Sequence, residues 1–412
     1  MPRLILAVFG LVYAGMILGG LPRLKLDRTG VALLGAIILI ATGAVPLGDA
    51  LTMIDVPTMT LLFGLMILSA QLRLGGFYAY VSSSITRLDA SPRLFLAALI
   101  GVVAILSAVF SNDIVCLAVP PVVIHAARTR RLDPVPFLLA TACAANAGSA
   151  ATLIGNPQNM LIGQVLHLSF RGYLGMAIVP VLLSLVAIWG IIALQSKGRW
   201  TSRETVAEER AEERAEEVPP FNEWQTTKGV IIAGILLVLF LATDLPRELL
   251  ALGAAGVLLT SREMHSRRTL GLVDWPLLVL FAGLFVTNGA LEATPWPAWT
   301  VEWMRSGGVH LGSPGTLFWF SAALSNVVSN VPAVMLLLRY AHAAASGPAL
   351  ALASTLAGNL TIVGSIANII VIDLAARHGI AIDWKRHLRT GLPVTVVTLI
   401  LTWGWLVLAA GA

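Results

Sequence analysis

Asp113 is the side chain with the most chemistry to explain. It belongs to Ser111-Asn112-Asp113, a polar triplet set in a largely apolar stretch from Ser107 to Ile162. That stretch is interrupted again at Asn146-Ala147-Gly148-Ser149 and at Gly155-Asn156-Pro157, with Asn159 just beyond. No lysine or arginine is expected at the depth of the triplet. A carboxylate isolated among apolar groups must bind a cation or take up a proton. Coupling to Na⁺ or H⁺ at Asp113 is therefore expected, with simple helix capping as the plain alternative. The other breaks carry amides and hydroxyls. Where a helix restarts, free N–H groups and the positive dipole end favour an anion. Where a helix stops, free carbonyls favour Na⁺ or a protonated group. Asn, Ser and Thr complete either kind of site without a fixed charge.

Such breaks matter because of what surrounds them. The chain has 412 residues, 57% hydrophobic and only 12% charged, with mean hydropathy +0.84. Soluble chains carry about 25% charged residues, so this is an integral membrane protein. Apolar runs near 20 residues recur, the length that crosses about 30 Å of hydrocarbon as a helix. In that medium each freed N–H or C=O costs several kcal/mol unless protein, solute or water satisfies it. Polar breaks there are expected to line a cavity.

The expected fold is all-α, with about ten spanning helices in two inverted-topology repeats. Each repeat holds a re-entrant hairpin and a broken helix. Helices are expected at about 3–20, 29–47, 56–72, 135–166 and 173–195, with a hairpin at 94–127. The second half repeats this as 228–243, 246–260, 275–291, a hairpin at 316–340, then 347–374 and 390–410. Residues 1–195 form the first repeat and 228–412 the second. Between them, 196–227 is a hydrophilic linker whose Glu/Arg-rich core runs from Arg203 to Glu217. Each arm of the 94–127 hairpin, at about 16 residues, spans roughly 24 Å, which is marginal for a crossing.

The repeat is read from three matches in the same order. Asp55-Val56-Pro57 with Gly64 recurs as Asp274-Trp275-Pro276 with Gly283, Asp55 and Asp274 being explained as helix N-caps. Ser111-Asn112 recurs as Ser329-Asn330, and Gly155-Asn156-Pro157-Gln158-Asn159 as Gly364-Ser365-Ile366-Ala367-Asn368. Asn146 pairs with Asn359 if four residues are gapped. The counterpart of Asp113 is Val331. Five crossings per half invert one half against the other. With both termini outside and the linker cytoplasmic, 22 of the 27 Lys and Arg fall inside, as the positive-inside rule requires.

Other chemistries find little support. The basic residues sit in short loops, not one patch, so no nucleic-acid partner is expected. The seven histidines fall at expected helix ends or in loops and make no HExxH or similar spacing, so none is assigned to a metal. No GxSxG or GxGxxG occurs, and no histidine is expected beside the buried polar groups to act as a base. An enzyme is not expected, nor a cofactor beyond a coupling Na⁺ or H⁺. Cys116 and Cys143 lie in apolar runs and read as small core residues.

These residues resemble the ion transporter superfamily, close to its citrate-transporter-like and arsenite-permease-like branches and related to the divalent anion:sodium symporters. The likeness covers nearly the whole chain. It is carried by Ser111-Asn112-Asp113, by Asn146 to Ser149 with Ile154 to Asn159, by Ser325-Asn326 with Ser329 to Pro332, and by Asn359, Gly364-Ser365 and Asn368. The resemblance implies opposed hairpins and broken helices around one site, moving elevator-fashion against a scaffold. It places substrate at Ser111, Asn112, Asn156, Ser329, Asn330 and Ser365. Taken with the reading of the residues themselves, it puts cation or proton coupling at Asp113, Asn146, Gly155, Asn159, Asn359, Gly364 and Asn368. Ser149, Thr152 and Thr361 are weaker candidates. A homodimer in a bacterial plasma membrane is implied as well. The divalent-anion symporters carry Ser-Asn-Thr at their hairpin tips, whereas Asp113 and Val331 stand third here. A small anion or oxyanion, coupled to Na⁺ or H⁺, is the expected cargo. Arsenite or antimonite export, or Na⁺/H⁺ antiport through Asp113, is the alternative.

Overall fold

The computed structural model describes residues 1–21, 24–86, 90–201, 221–261 and 264–410. The charged core from Arg203 to Glu217 lies outside the described residues, as do Arg23, Arg87 and Arg262 of the charge count. The protein is helical throughout, with no strand among the described residues beyond two isolated bridges. The first half runs α1 (Pro2–Leu18), α2 (Arg28–Ala41), α3 (Leu47–Met53), α4 (Val56–Leu74), α5 (Phe77–Thr86), α6 (Pro92–Val109), α7 (Asn112–Thr129), α8 (Pro134–Ser149), α9 (Pro157–Val165) and α10 (Phe170–Gln195). The second runs α11 (Glu223–Ala242), α12 (Arg247–Leu259), α13 (Ser266–Leu270), α14 (Trp275–Glu292), α15 (Trp296–Ser306), α16 (Pro314–Val328), α17 (Asn330–Leu337), α18 (Ser346–Ala357), α19 (Ile366–Arg377) and α20 (Trp384–Ala410). Six of these, α4, α6, α10, α11, α14 and α20, are long and apolar enough to cross a membrane.

Several boundaries differ from those expected, each for a local reason. Helix α2 stops at Ala41, where Thr42 turns its hydroxyl onto Ile38 O at 2.7 Å. Helix α11 begins at Glu223, inside the stretch read as linker, because Asn222 caps it by accepting from Gln225 N at 3.0 Å. Helix α20 begins at Trp384, six residues before the expected start, because Asp383 accepts from Arg386 N at 2.7 Å. The short helices α3, α5, α13 and α15 were not expected at all. The hairpin arms α6 and α7 hold 18 residues each, more than the expected 16. Their turn meets other protein: Asn112 N–H donates to Gly155 O at 3.1 Å.

Two kinds of helix follow from their sequence faces. On α10, α11 and α20, Leu182, Val186, Ile231, Ile235, Val238 and Ile400 are exposed and apolar, as a lipid-facing surface must be. All twelve residues of α18 are buried, and every residue of α8 from Phe137 to Ser149 is as well. A helix apolar all round belongs inside. These two lie at the centre, α8 packed on α6, α7, α10 and α19, and α18 on α16, α17 and α20.

Away from that centre, α4 crosses α12 and α14 crosses α2. Both crossings are set by glycine. A Cβ on Gly64 would lie 2.7 Å from the Ala251 carbonyl, and one on Gly283 would lie 2.7 Å from the Ala32 carbonyl. Small residues let membrane helices approach backbone to backbone, where dispersion replaces the missing hydrophobic drive. Gly64→Ala and Gly283→Ala are each expected to cost about 1–3 kcal/mol by overpacking, read as a lower melting temperature in detergent. Gly101→Ala, with nothing within 4 Å of its Cβ, should leave melting where it is.

Candidate functional site

Four helices begin at one place. The residues around a cavity of about 20 Å³ are Asn112 and Asp113 from α7, Pro157 and Gln158 opening α9, Ser329, Asn330 and Val331 at α17, and Ser365 and Ile366 at α19, with Leu277 of α14 closing one side. Those are the first residues of α7, α9, α17 and α19 or their caps. The space holds about one water-sized sphere. No lysine, arginine or histidine lines it, and Asp113 is its one carboxylate.

The caps are not uniform. Asn156 accepts from Asn159 N at 2.9 Å, with Pro157 at the first helical position, where a missing N–H costs nothing. Asn112 and Asp113, expected to cap α7, are instead its first two residues, and Ser111 precedes them without a side-chain capping bond. In the second hairpin Ser329 stands at φ 76°, a left-handed conformation that strains a residue with a Cβ, and makes no capping bond either. At the start of α7 a backbone contact stands in for the missing side-chain cap, Asn112 N–H donating to Gly155 O at 3.1 Å.

Asn146 ties the centre together. Its Nδ2 donates to Asn359 Oδ1 at 2.9 Å and Asn368 Oδ1 at 3.2 Å, while its Oδ1 accepts from Ser365 Oγ at 2.9 Å and Asn112 Nδ2 at 3.4 Å. The gapped alignment set Asn146 and Asn359 in equivalent places, whereas the fold sets them in contact. Asn112 Oδ1 and Asn359 Nδ2 have no partner among the described residues.

The helix breaks are closed by side chains. Asn159 Nδ2 donates to Thr152 O at 3.0 Å and Ser149 O at 3.5 Å; Asn368 Nδ2 donates to Thr361 O at 2.9 Å and Gly358 O at 2.8 Å. Asn330 Nδ2, with its amide oriented to suit its neighbours, donates to Ser354 O and Gly364 O at 3.0 Å. Gly155 sits so tightly that a Cβ would meet Ser107 O at 2.7 Å, and one on Gly364 would meet Asn326 Oδ1 at 2.9 Å. Because their amide protons are used on backbone, Asn159 and Asn368 retain only Oδ1 for a cation.

Asp113 is half-buried and makes no ion pair or hydrogen bond among the described residues. Also among the described residues, no group of three His, Cys, Asp or Glu is placed to hold a metal ion.

The sequence reading missed three contributors. Thr355 Oγ1 faces Asn156 Nδ2 at 3.3 Å, Gln158 Nε2 at 3.2 Å and Asn159 Oδ1 at 3.4 Å. Tyr173 accepts from Asn159 Nδ2 at 3.1 Å and donates to Ala150 O at 2.8 Å. The third is a correction: a histidine does stand beside the buried polar groups. His387 is 1% exposed, with Nε2 3.2 Å from Asn359 O. The early start of α20 places it one turn inside a helix where a loop was expected.

Comparison with known proteins places the whole chain in a family. The citrate transporter family model (CitMHS) matches residues 13–357. An uncharacterized transporter of Mycobacterium tuberculosis is 30% identical over 92% of this chain and 93% of its own. The silicon efflux transporter LSI3 of Oryza sativa subsp. japonica is 28% identical over 96% of each. In fold, the chain is similar to the solved YdaH transporter of Alcanivorax borkumensis, with TM-score 0.58 and 15% identity over 99% of this chain and 97% of that one.

Replacing Asn146 by Ala leaves Asn359 Oδ1, Ser365 Oγ and Asn112 Nδ2 short of a buried partner. Such orphans cost about 1–3 kcal/mol each, so Asn146→Ala should lower the melting temperature more than Ser184→Ala, which removes only a hydroxyl bonded within its own helix. The family model, the relatives and the buried polar centre lead to one identification: this chain is an integral membrane transporter of the citrate transporter family.

Proposed function

We propose that the protein is a secondary active carrier of a small, oxygen-rich solute, an anion or oxyanion, coupled to Na⁺ or H⁺. The observation that carries this is the meeting of four helix N-termini on one cavity. Each contributes roughly half a positive charge without a lysine or arginine, and oxygen acceptors are what their free N–H groups recognise. Asn112, Asn156, Ser329, Asn330 and Ser365, with Ser111 behind them, are assigned to the solute. Asp113 takes the coupling ion, helped by the carbonyl-rich breaks at Gly155 and Gly364 and by Asn146, Asn159, Asn359 and Asn368.

In this reading residues 1–195 and 228–412 are inverted repeats. The α4–α12 and α14–α2 crossings form a scaffold, and α6–α10 with α16–α20 form the moving, elevator-like unit. Arg247 and Glu248 of α12 hold the end of α9, through Gly163 O at 2.7 Å and Gln164 Nε2 at 3.0 Å. Those bonds must open if the unit moves. The assignment also includes a plasma-membrane location with the linker on the cytoplasmic side, and a homodimer.

A second reading rests on Asp113 being the cavity's one charged side chain. A neutral hydroxide of silicon or arsenic, exchanged against H⁺, avoids repulsion from that carboxylate, and a relative is named for silicon efflux. Counterflow in proteoliposomes with citrate, silicic acid and arsenite separates these readings. Saturable exchange of at least one is expected. Asp113→Asn should cut ion-driven accumulation of that solute by about tenfold or more. Flux that never saturates would contradict a carrier, and an unchanged Na⁺ and pH dependence in Asp113→Asn would remove this residue from coupling.

A further inference from the structure

Tyr173 and His387 hold matching places. Each is the fourth residue beyond a helix N-cap: Ser169 accepts from Gly172 N at 3.2 Å, and Asp383 accepts from Arg386 N at 2.7 Å. Each reaches a backbone carbonyl just past the end of a central helix, Ala150 O for Tyr173 at 2.8 Å and Asn359 O for His387 at 3.2 Å. Ala150 lies nine residues ahead of Asn159, and Asn359 lies nine ahead of Asn368. Both Asn159 and Asn368 donate to the carbonyls of their own break. The structural task at both places is the same: donate one hydrogen bond to a carbonyl that a broken helix leaves free.

A tyrosine does that task and nothing more near neutral pH, since its hydroxyl ordinarily titrates near 10. A histidine brings a second nitrogen. Because Asn359 O can only accept, Nε2 must carry the hydrogen, which leaves Nδ1 with its lone pair. That Nδ1 is buried and has no partner among the described residues. On this geometry we infer that Nδ1 of His387 is a proton-binding site of the carrier, present in the second half and replaced by a tyrosine in the first. The inference rests on reading the chain as an ion-coupled carrier.

The proton's effect follows from its neighbours. Protonation adds an N–H that needs an acceptor and puts a positive charge beside Asn359, whose Oδ1 is held by Asn146 at 2.9 Å. His387 does not line the cavity, so its proton acts on the centre through Asn359, whose carbonyl it holds and whose side chain joins Asn146.

Few other charges compete. Helix α18 and the turn at 362–364, both packed on α20, hold no ionisable side chain, and α8 holds only Cys143. Asp133, which caps α8, is paired with Arg386 at 2.9 Å. Helix α10 offers Tyr173 and Arg171. On α20 itself Lys385, Arg386 and Arg389 are exposed, as is the cap Asp383.

Two measurements on the full chain test this. In nanodiscs, ¹⁵N-histidine spectra of the wild type and His387→Gln identify the His387 resonances, Gln keeping a donor but losing the titrating lone pair. The wild-type signal should report the Nε2–H tautomer at alkaline pH and pass to the doubly protonated ring as the pH is lowered. In proteoliposomes, counterflow of citrate or silicic acid, with pH equal on both sides, should change by about fivefold or more between pH 5.5 and 8. In His387→Gln and His387→Tyr the change across that range should shrink to what Asp113 alone contributes. Tyr173→Phe should keep the wild-type shape of the profile. A His387 ring that holds one protonation state throughout, or a His387→Gln profile matching the wild type, overturns the inference. Failure to exchange either solute would count against the carrier reading for those solutes, and the spectra alone would then decide His387.

Discussion

Broken helices inside a bilayer leave carbonyls and N–H groups that no lipid can satisfy, and the centre of this protein is organised around that constraint. At each break a side chain supplies the missing donor. Asn159 serves Thr152 O, Asn368 serves Thr361 O and Gly358 O, Tyr173 serves Ala150 O, and His387 reaches Asn359 O. Thr152 closes the same region by donating to Ala108 O at 2.5 Å, and Asn326 donates to Ala357 O at 3.0 Å. Carbonyls are thereby cared for by protein, whereas the opposing helix starts at α7 and α17 lack side-chain caps. What faces the cavity is therefore mixed, uncapped helix starts beside the Asp113 carboxylate and the unpartnered Asn112 Oδ1.

Charge balance then limits what can sit there. Four N-termini supply about +2 in dipole terms, set against one carboxylate at Asp113. A single small anion, or a neutral oxyacid with Asp113 protonated, fits that balance better than a multiply charged ion with Asp113 ionised. The cavity, at about 20 Å³, is too small for citrate as it stands. Ser329, at φ 76°, stands at the tip of the second hairpin against this cavity.

Much of this was legible in the sequence because membrane physics writes in large letters. The polar triplet at Asp113 and the Gly-Asn-Pro break stand out against apolar neighbours, and the structure brings Asn112, Asp113, Ser329, Asn330 and Ser365 to one cavity. Asn156 was readable as a cap because proline follows it. What stayed hidden depended on helix starts. His387 looked like a loop residue because Lys385 and Arg386 beside it are polar, yet Asp383 begins the helix earlier and turns the imidazole inward. Thr355 and Tyr173 carry no motif; only the fold brings them to Asn159. The Asn146 hub was visible as a polar residue, but not its four partners, which come from both halves of the chain.

The central claim, that the four helix starts form one solute site, is tested most directly by cysteine accessibility. Ser365→Cys, in a background with Cys116 and Cys143 replaced by Ala, would be alkylated by a membrane-impermeant maleimide added to either side of sealed vesicles. The account predicts labelling from one side at a time, with the side set by the ion gradient, and slower labelling when the transported solute is present. Labelling from both sides at once, or at a rate indifferent to both solute and ions, would contradict it.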